Sequence, residues 1–163
     1  MKGARPPRGF LLQHPAHFYA LGFGAGLMPV APGTFGTLVA VPLAIVLWRH
    51  ATDALFIVAL LLLGGLGVWA GEITGRNLGV PDHGAIVCDE VVAFLLVLFF
   101  TGPDPAAVIV AFVLFRAFDV LKPPPIRTFD ARWKNGWGVM FDDLLAAAYT
   151  LLALALLRWW LHA

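Results

Sequence analysis

Cysteine is almost absent: Cys88 is the single thiol in 163 residues. No internal disulfide can form, and a zinc centre built on a cysteine cluster is excluded. Charge is scarce as well. Asp, Glu, Lys and Arg make up 13% of the chain and nearly cancel, leaving a formal net charge of +1, which removes an electrostatic nucleic-acid binder from consideration. Neither an internal repeat nor a low-complexity stretch is present. What fills the chain is hydrocarbon: 60% of residues are hydrophobic and the mean hydropathy is +0.84, far above the range of ordinary soluble domains.

This composition predicts an all-α, polytopic membrane helical bundle with about four to five spanning or partly spanning helices. Residues 1–17 carry Lys2, Arg5 and Arg8 but no uninterrupted apolar core before Pro15, so they read as an N-terminal cytoplasmic tail and not as a cleaved signal peptide. Residues 18–163 then form a single membrane-embedded domain. Within it, 18–30 is apolar but broken by Gly22, Gly24, Gly26 and Pro29, which suits a re-entrant or surface piece packed on other protein. Clear apolar runs follow at 35–48 and 54–71. A third starts near Val91, a fourth ends near Phe115 after the turn signal Thr101-Gly102-Pro103-Asp104-Pro105, and a fifth covers 144–157. Several are shorter than the ~20 residues a crossing needs, so flanking polar residues should extend the helices, or some spans should be tilted or partial.

Placing the N-terminus inside puts Lys2, Arg5, Arg8, Arg76, Arg116, Lys122, Arg127, Arg132 and Lys134 on the cytoplasmic side, nine of the eleven bases, with Arg49 and Arg158 opposite. The same choice brings the glycine-rich, proline-rich and acidic stretches to one membrane face, as a site at the interface requires.

Four stretches meet there. In Phe115-Arg116-Ala117-Phe118-Asp119, Arg116 and Asp119 share one helical face near its end. Lys122 follows, and Pro123-Pro124-Pro125 stiffens the chain beyond it. The plainer reading of this segment is a membrane-edge loop whose cations face lipid headgroups. In Pro29-Val30-Ala31-Pro32-Gly33-Thr34-Phe35-Gly36-Thr37, a rigid turn precedes a helix, with Thr34 as candidate N-cap and Gly33 and Thr34 offering backbone N–H groups to an anion. An ordinary capped helix start would look the same. In Asp82-His83-Gly84-Ala85-Ile86-Val87-Cys88-Asp89-Glu90, an acidic pair opens a long apolar run. One acid there suits a helix N-terminus through the dipole alone; two together call for a cation or for basic partners. Asp82 and His83 read as a polar turn. In Val139-Met140-Phe141-Asp142-Asp143 two acids again precede a span, after Arg132, Trp133, Lys134 and Trp137, whose character suits anionic headgroups and the interfacial belt.

Asp89, Glu90, Asp119, Asp142 and Asp143 therefore supply oxygen ligands from three helix ends. Hard carboxylates without a Cys or His cluster suit Mg²⁺. The candidate catalytic residues are Asp89, Glu90, Asp119 and Asp143. The candidate contacts to a substrate phosphate are Gly33, Thr34, Arg116, Lys122 and Arg132. A phosphate held between metal and bases, attacked by a metal-activated water, is the chemistry this set fits. Cys88 is a poor nucleophile, because two neighbouring carboxylates and an apolar surround disfavour the thiolate.

The ordered motifs Ala31-Pro32-Gly33-Thr34-Phe35-Gly36-Thr37, Ile86-Val87-Cys88-Asp89-Glu90-Val91-Val92, Phe115-Arg116-Ala117-Phe118-Asp119 with Lys122, Pro123, Pro125 and Ile126, and Gly136-Trp137-Gly138-Val139-Met140-Phe141-Asp142-Asp143 resemble the phosphatidylglycerophosphatase A family over about residues 20 to 150. The resemblance implies an integral, Mg²⁺-dependent lipid phosphatase of the bacterial inner membrane, converting phosphatidylglycerophosphate to phosphatidylglycerol at the cytoplasmic face. Three positions depart from the family pattern: Ala93 stands where glycine is common, Cys88 where an aliphatic residue is usual, and Asn135 for the first of two glycines. A different class fits the same residues, namely a small ion- or proton-translocating protein or a non-enzymatic membrane subunit. Transport calls for charges at mid-span, whereas these stand at span ends on one face.

The sidedness is directly testable. A cysteine introduced near residue 130 should react with an impermeant thiol reagent only after the inner membrane is opened. Ready labelling from the periplasmic side would reverse the orientation and remove the cytoplasmic site with it.

Overall fold

The computed structural model describes residues 3–124, 126 and 136–162, all-α or irregular throughout. Two short helices, α1 (Phe10–Gln13) and α2 (Pro15–Ala20), precede a 3-10 helix (Gly22–Leu27) and five longer helices. These are α3 (Pro32–His50), α4 (Asp53–Leu78), α5 (Cys88–Thr101), α6 (Pro105–Leu121) and α7 (Gly136–His162). Helices α3, α4 and α7 are long and apolar enough to cross a membrane, whereas α5 and α6, at 14 and 17 residues, fall short of the ~20 of a full crossing. The expected bundle of spanning and partly spanning helices is therefore what forms. Arg127, Arg132, Lys134 and Pro125, expected in a cytoplasmic loop, lie outside the described residues.

Local chemistry sets the helix limits. Thr52 caps α4 by accepting from Leu55 N–H at 3.3 Å, and Asp104 caps α6 by accepting from Ala107 N–H at 2.8 Å, with Pro105 at its first position. Gly79, in the left-handed region at φ 70°, ends α4 as its N–H turns back to Arg76 O. Helix α4 runs seven residues past the apolar stretch 54–71, and α7 starts well before 144, so polar ends do extend the helices.

Helix α5 occupies the centre, packed by α3, α4, α6 and α7. Its residues Val91, Val92, Ala93, Phe94, Leu95, Val97 and Leu98 are all buried, the pattern of a helix apolar on every side. Hydrocarbon tails are as apolar as these side chains, so close fit must hold such helices together inside a bilayer. Small residues supply the fit. Helix α3 buries Gly33, Gly36, Thr37, Ala40 and Ala44, and α4 buries Gly67, Gly71 and Gly75 at four-residue spacing. A methyl on Gly36 would sit 2.7 Å from Val87 Cβ, and one on Gly67 would sit 2.5 Å from Met140 Cε.

The first seventeen residues contribute to this packing. Phe10 is buried and stacks on His17 at 4.1 Å between ring centroids. His17 bonds Thr74 Oγ1 at 2.9 Å through Nδ1 and Asn77 Nδ2 at 3.0 Å through Nε2, tying α2 to the last turns of α4. Burial, and then the nearby His14, lowers the basicity of this imidazole, keeping it the neutral partner of two polar side chains. The stretch 18–30 does not form a span: after α2 it becomes the 3-10 helix, with Phe23 in the left-handed region at φ 58°.

Gly36→Ala forces Val87 and its backbone away from α3, and should cost roughly 1–3 kcal/mol, read as a lower unfolding temperature in detergent. Gly65→Ala is the matched control, because nothing lies within 4 Å of a methyl placed there. Equal Tm values for the two variants would show that α3 and α5 do not depend on this close approach.

Candidate active site

The start of α5, the end of α6 and the second turn of α7 converge on a cavity of about 530 Å³. Six acids line it, Asp82 from the turn before α5, Asp89 and Glu90 from α5, Asp119 from α6, and Asp142 and Asp143 from α7, together with two bases, Arg116 and Lys122, from the end of α6. Asp82, His83 and Gly84 of the turn before α5 complete one rim. The acids and two of the bases singled out from the sequence thus line one cavity, with the acids of α7 inside a helix and not ahead of one.

The architecture explains the charge placement. Asp89 and Glu90 stand in the first turn of α5, where the helix end carries partial positive charge, while Lys122 closes α6, where the dipole is negative, and Arg116 lies further back along the same helix. Arg116 pairs with Asp119 at 2.6 Å, lies 4.0 Å from Glu90, and donates to Thr37 Oγ1 at 3.3 Å. Thr37 in turn donates to Gly33 O at 2.8 Å, so α3 holds the guanidinium from above. Lys122 closes α6 in the left-handed region at φ 43° and pairs with Asp142. The proline after it does keep Lys122 out of the right-handed helix.

Six acids against two bases is an excess of negative charge in a largely buried setting, which demands a further cation or bound protons. Three of the acids are placed to hold a cation. One carboxylate oxygen from each of Asp89, Glu90 and Asp143 lies within 4.8 Å of the other two. Glu90 Oε2 is buried and has no hydrogen-bond partner among the described residues, and the same is true of Arg116 Nε. An orphaned carboxylate oxygen beside two other carboxylates fits a hard divalent cation, and an orphaned guanidinium N–H beside it fits a phosphate oxygen. His83 is not available as a ligand: its Nε2 meets Ala4 O at 2.7 Å and its Nδ1 accepts from Ala85 N–H at 3.1 Å. The set remains one of oxygens.

Several expectations change in detail. Thr34 does not cap α3; the helix begins at Pro32 after Ala31 in the left-handed region at φ 49°, and Thr34 N–H bonds Ala31 O at 2.9 Å. Thr34 is half-buried in the first turn and is not among the residues lining the cavity. Gly33 does reach the site, for a different reason: a Cβ there would lie 2.3 Å from Glu90 Oε1 and 3.2 Å from Arg116 Nη1. Its role is to leave room for the ion pair. Arg132 lies outside the described residues. Thr37 was not singled out from the sequence, although its spacing of four from Gly33 put it on the same helical face. Cys88 points away from the cavity, with Sγ 3.8 Å from Gly67 O.

Comparison with known proteins agrees with this geometry. Residues 18–158 match the family described as PgpA, phosphatidylglycerophosphatase A. The phosphatidylglycerophosphatase A of Haemophilus influenzae is 39% identical over 160 residues, covering 96% of each chain. That of Escherichia coli is 38% identical over 139 residues, covering 83% of this chain and 78% of its own. A protein of Bacteroides thetaiotaomicron with the provisional name phosphatidylinositol-3-phosphatase is 37% identical over 152 residues, covering 85% of this chain and 90% of its own. No solved structure matches. Fold, site and relatives together define a phosphoric monoester hydrolase built as a helical membrane bundle. The chain belongs to the phosphatidylglycerophosphatase A family.

Two substitutions separate the site from its surroundings. Gly33→Ala pushes the flexible end of Glu90 aside, so phosphatase activity should fall about tenfold or more while Tm changes little. Cys88→Ala should keep most of the activity, since the thiol packs against α4. Loss of nearly all turnover in a folded Cys88→Ala protein would make the thiol part of the chemistry.

Proposed function

We propose that this protein removes the terminal phosphate of phosphatidylglycerophosphate, giving phosphatidylglycerol, at the cytoplasmic face of the bacterial inner membrane. The observation that carries the proposal is the cavity at one end of the bundle, where an orphaned Glu90 oxygen and an orphaned Arg116 N–H lie among carboxylates from three helices. A single membrane-embedded domain over residues 18–163 does this work, with residues 1–17 on the cytoplasmic side. Surrounding lipid is its medium and the phospholipid its substrate.

In this reading Asp89, Glu90 and Asp143 hold Mg²⁺, with Asp119 and Asp142 completing the acidic wall. Bound there, the ion supplies charge neutralisation for the phosphate and a more acidic water. The protein's own groups do the rest. Arg116, held by Asp119 and Thr37, presents its remaining N–H groups to phosphate oxygens in a fixed fork. Lys122, anchored by Asp142, brings a second positive charge from the end of α6. Gly33 leaves space for Arg116 beside Glu90, the start of α3 adds its positive dipole end, and Arg132 is a further candidate contact to the phosphate. A carboxylate of the set, Asp89 or Asp143, orients the attacking water. Water-poor walls strengthen each of these interactions relative to bulk solvent. The clustering of charge at one end of the helices, and not at mid-span, favours this chemistry over ion or proton translocation.

The test is phosphate release from phosphatidylglycerophosphate by the purified protein, with and without Mg²⁺, beside phosphatidic acid and phosphatidylinositol 3-phosphate. Mg²⁺-dependent release that is fastest with phosphatidylglycerophosphate is expected, and Asp89→Asn or Asp143→Asn should lower it on the order of 100-fold or more in folded protein. Preference for the inositol lipid would reassign the substrate. Full activity in both variants would reduce these acids to helix-end charges.

A further inference from the structure

An apolar groove of about 360 Å³ lies between α4, α5 and α7, outside the charged cavity. Gly64 and Gly65 of α4 form one wall, Val92 and Leu96 of α5 the floor, and Met140 and Leu144 of α7 the other wall. The two glycines make the space: nothing lies within 4 Å of a Cβ on Gly65, and a Cβ on Gly64 would meet only Val92 Cγ1, at 3.7 Å. Gly65 is exposed, so the groove opens sideways from the bundle.

The groove adjoins the acids along two helices. Asp89, Val92 and Leu96 follow one another at spacings of three and four on α5, so the face that presents a carboxylate to the cavity becomes the groove floor one turn deeper. On α7, Asp143 falls between Met140 and Leu144, both of which line the groove. Trp137, exposed at the start of α7, stands at the mouth of the groove, where an aromatic ring suits the boundary between hydrocarbon and headgroups. A headgroup in the cavity therefore has hydrocarbon-lined space beside it, along the same two helices and without any charged side chain in its lining.

We propose that this groove holds one acyl chain of the diacyl phospholipid whose phosphate ester occupies the acidic cavity. The groove thereby fixes the lipid's depth and gives the enzyme its requirement for a long-chain substrate. This rests on the lipid-phosphatase reading above.

Gly65→Leu fills the groove without touching the acids, and leucine favours the helix over glycine. Phosphate release is measured in detergent micelles from dioleoyl and from dihexanoyl phosphatidylglycerophosphate. The expected result is a KM raised about tenfold or more for the dioleoyl lipid, as several methylenes lose their site, with a much smaller change for the dihexanoyl lipid and an intermediate effect of Gly65→Ala. In parallel, wild-type protein in phosphatidylcholine vesicles is irradiated with a phospholipid bearing a diazirine in its acyl chain. Labelling should fall on residues 60–68, 92–96 or 137–144 and should be competed by phosphatidylglycerophosphate but not by added phosphatidylcholine. Equal effects of Gly65→Leu on both lipids, or labelling indifferent to the competitor, would overturn the proposal, the latter marking the groove as ordinary boundary-lipid contact. A change of oligomeric mass in Gly65→Leu would overturn it in favour of a second copy. Should wild-type protein release phosphate from neither lipid, the phosphatase reading falls, and the competition experiment alone decides the groove.

Discussion

The burial of several carboxylates at one end of a helix inside a hydrocarbon medium governs the rest of the molecule. A lone ionised group at the centre of a membrane helix costs roughly 2.5–3.5 kcal/mol on insertion scales, and Asp89, Glu90, Asp142 and Asp143 are held close together. The chain meets that cost by geometry. It sets Asp89 and Glu90 in the first turn of α5, brings Arg116 and Lys122 from the end of α6 against the acids, and gathers the charged groups into one cavity. What remains uncompensated is the binding capacity of the site.

Close packing is the second requirement, and it serves the first. Arg116 reaches Glu90, Asp119 and Thr37 together because α3 lies close enough for Gly33 to run beside the guanidinium. The buried series Gly36, Ala40 and Ala44 keeps α3 at that separation along its length, much as small residues at four-residue spacing do in membrane helix pairs generally. A larger residue near the start of α3 therefore disturbs charge placement as well as packing. Structure and chemistry meet in the same glycines.

The class of fold was legible in the sequence because hydrocarbon runs, loop charges and proline or glycine breaks act locally. The charged set was legible because each member stands at an apolar run's edge, and such edges at one face must meet. Three things were not. Thr34 looked like a cap since it precedes the apolar run, yet Ala31 in a left-handed conformation starts the helix earlier, a choice that depends on tertiary contacts. Gly33 looked like a donor of N–H groups, and only the approach of Glu90 and Arg116 shows it as a space-maker. The contribution of Phe10 and His17 to the packing was hidden too, because stacking on α2 and bonding to Thr74 and Asn77 join residues some sixty positions apart.

The contact of Cys88 with Gly67 fixes a level in the bundle. From Gly67, α4 continues to Leu78, eleven further residues, or roughly 16 Å of helix beyond the start of α5. The end of α4 thus rises past the level at which α5 and its acids begin, braced by α2, on which α1 packs. On the proposed reading a phospholipid meets these acids from within its own leaflet, while the water for hydrolysis comes from the aqueous side. On the same reading the two products have different destinations: inorganic phosphate is released to water, and the lipid, still carrying the single negative charge of its phosphodiester, stays in the membrane.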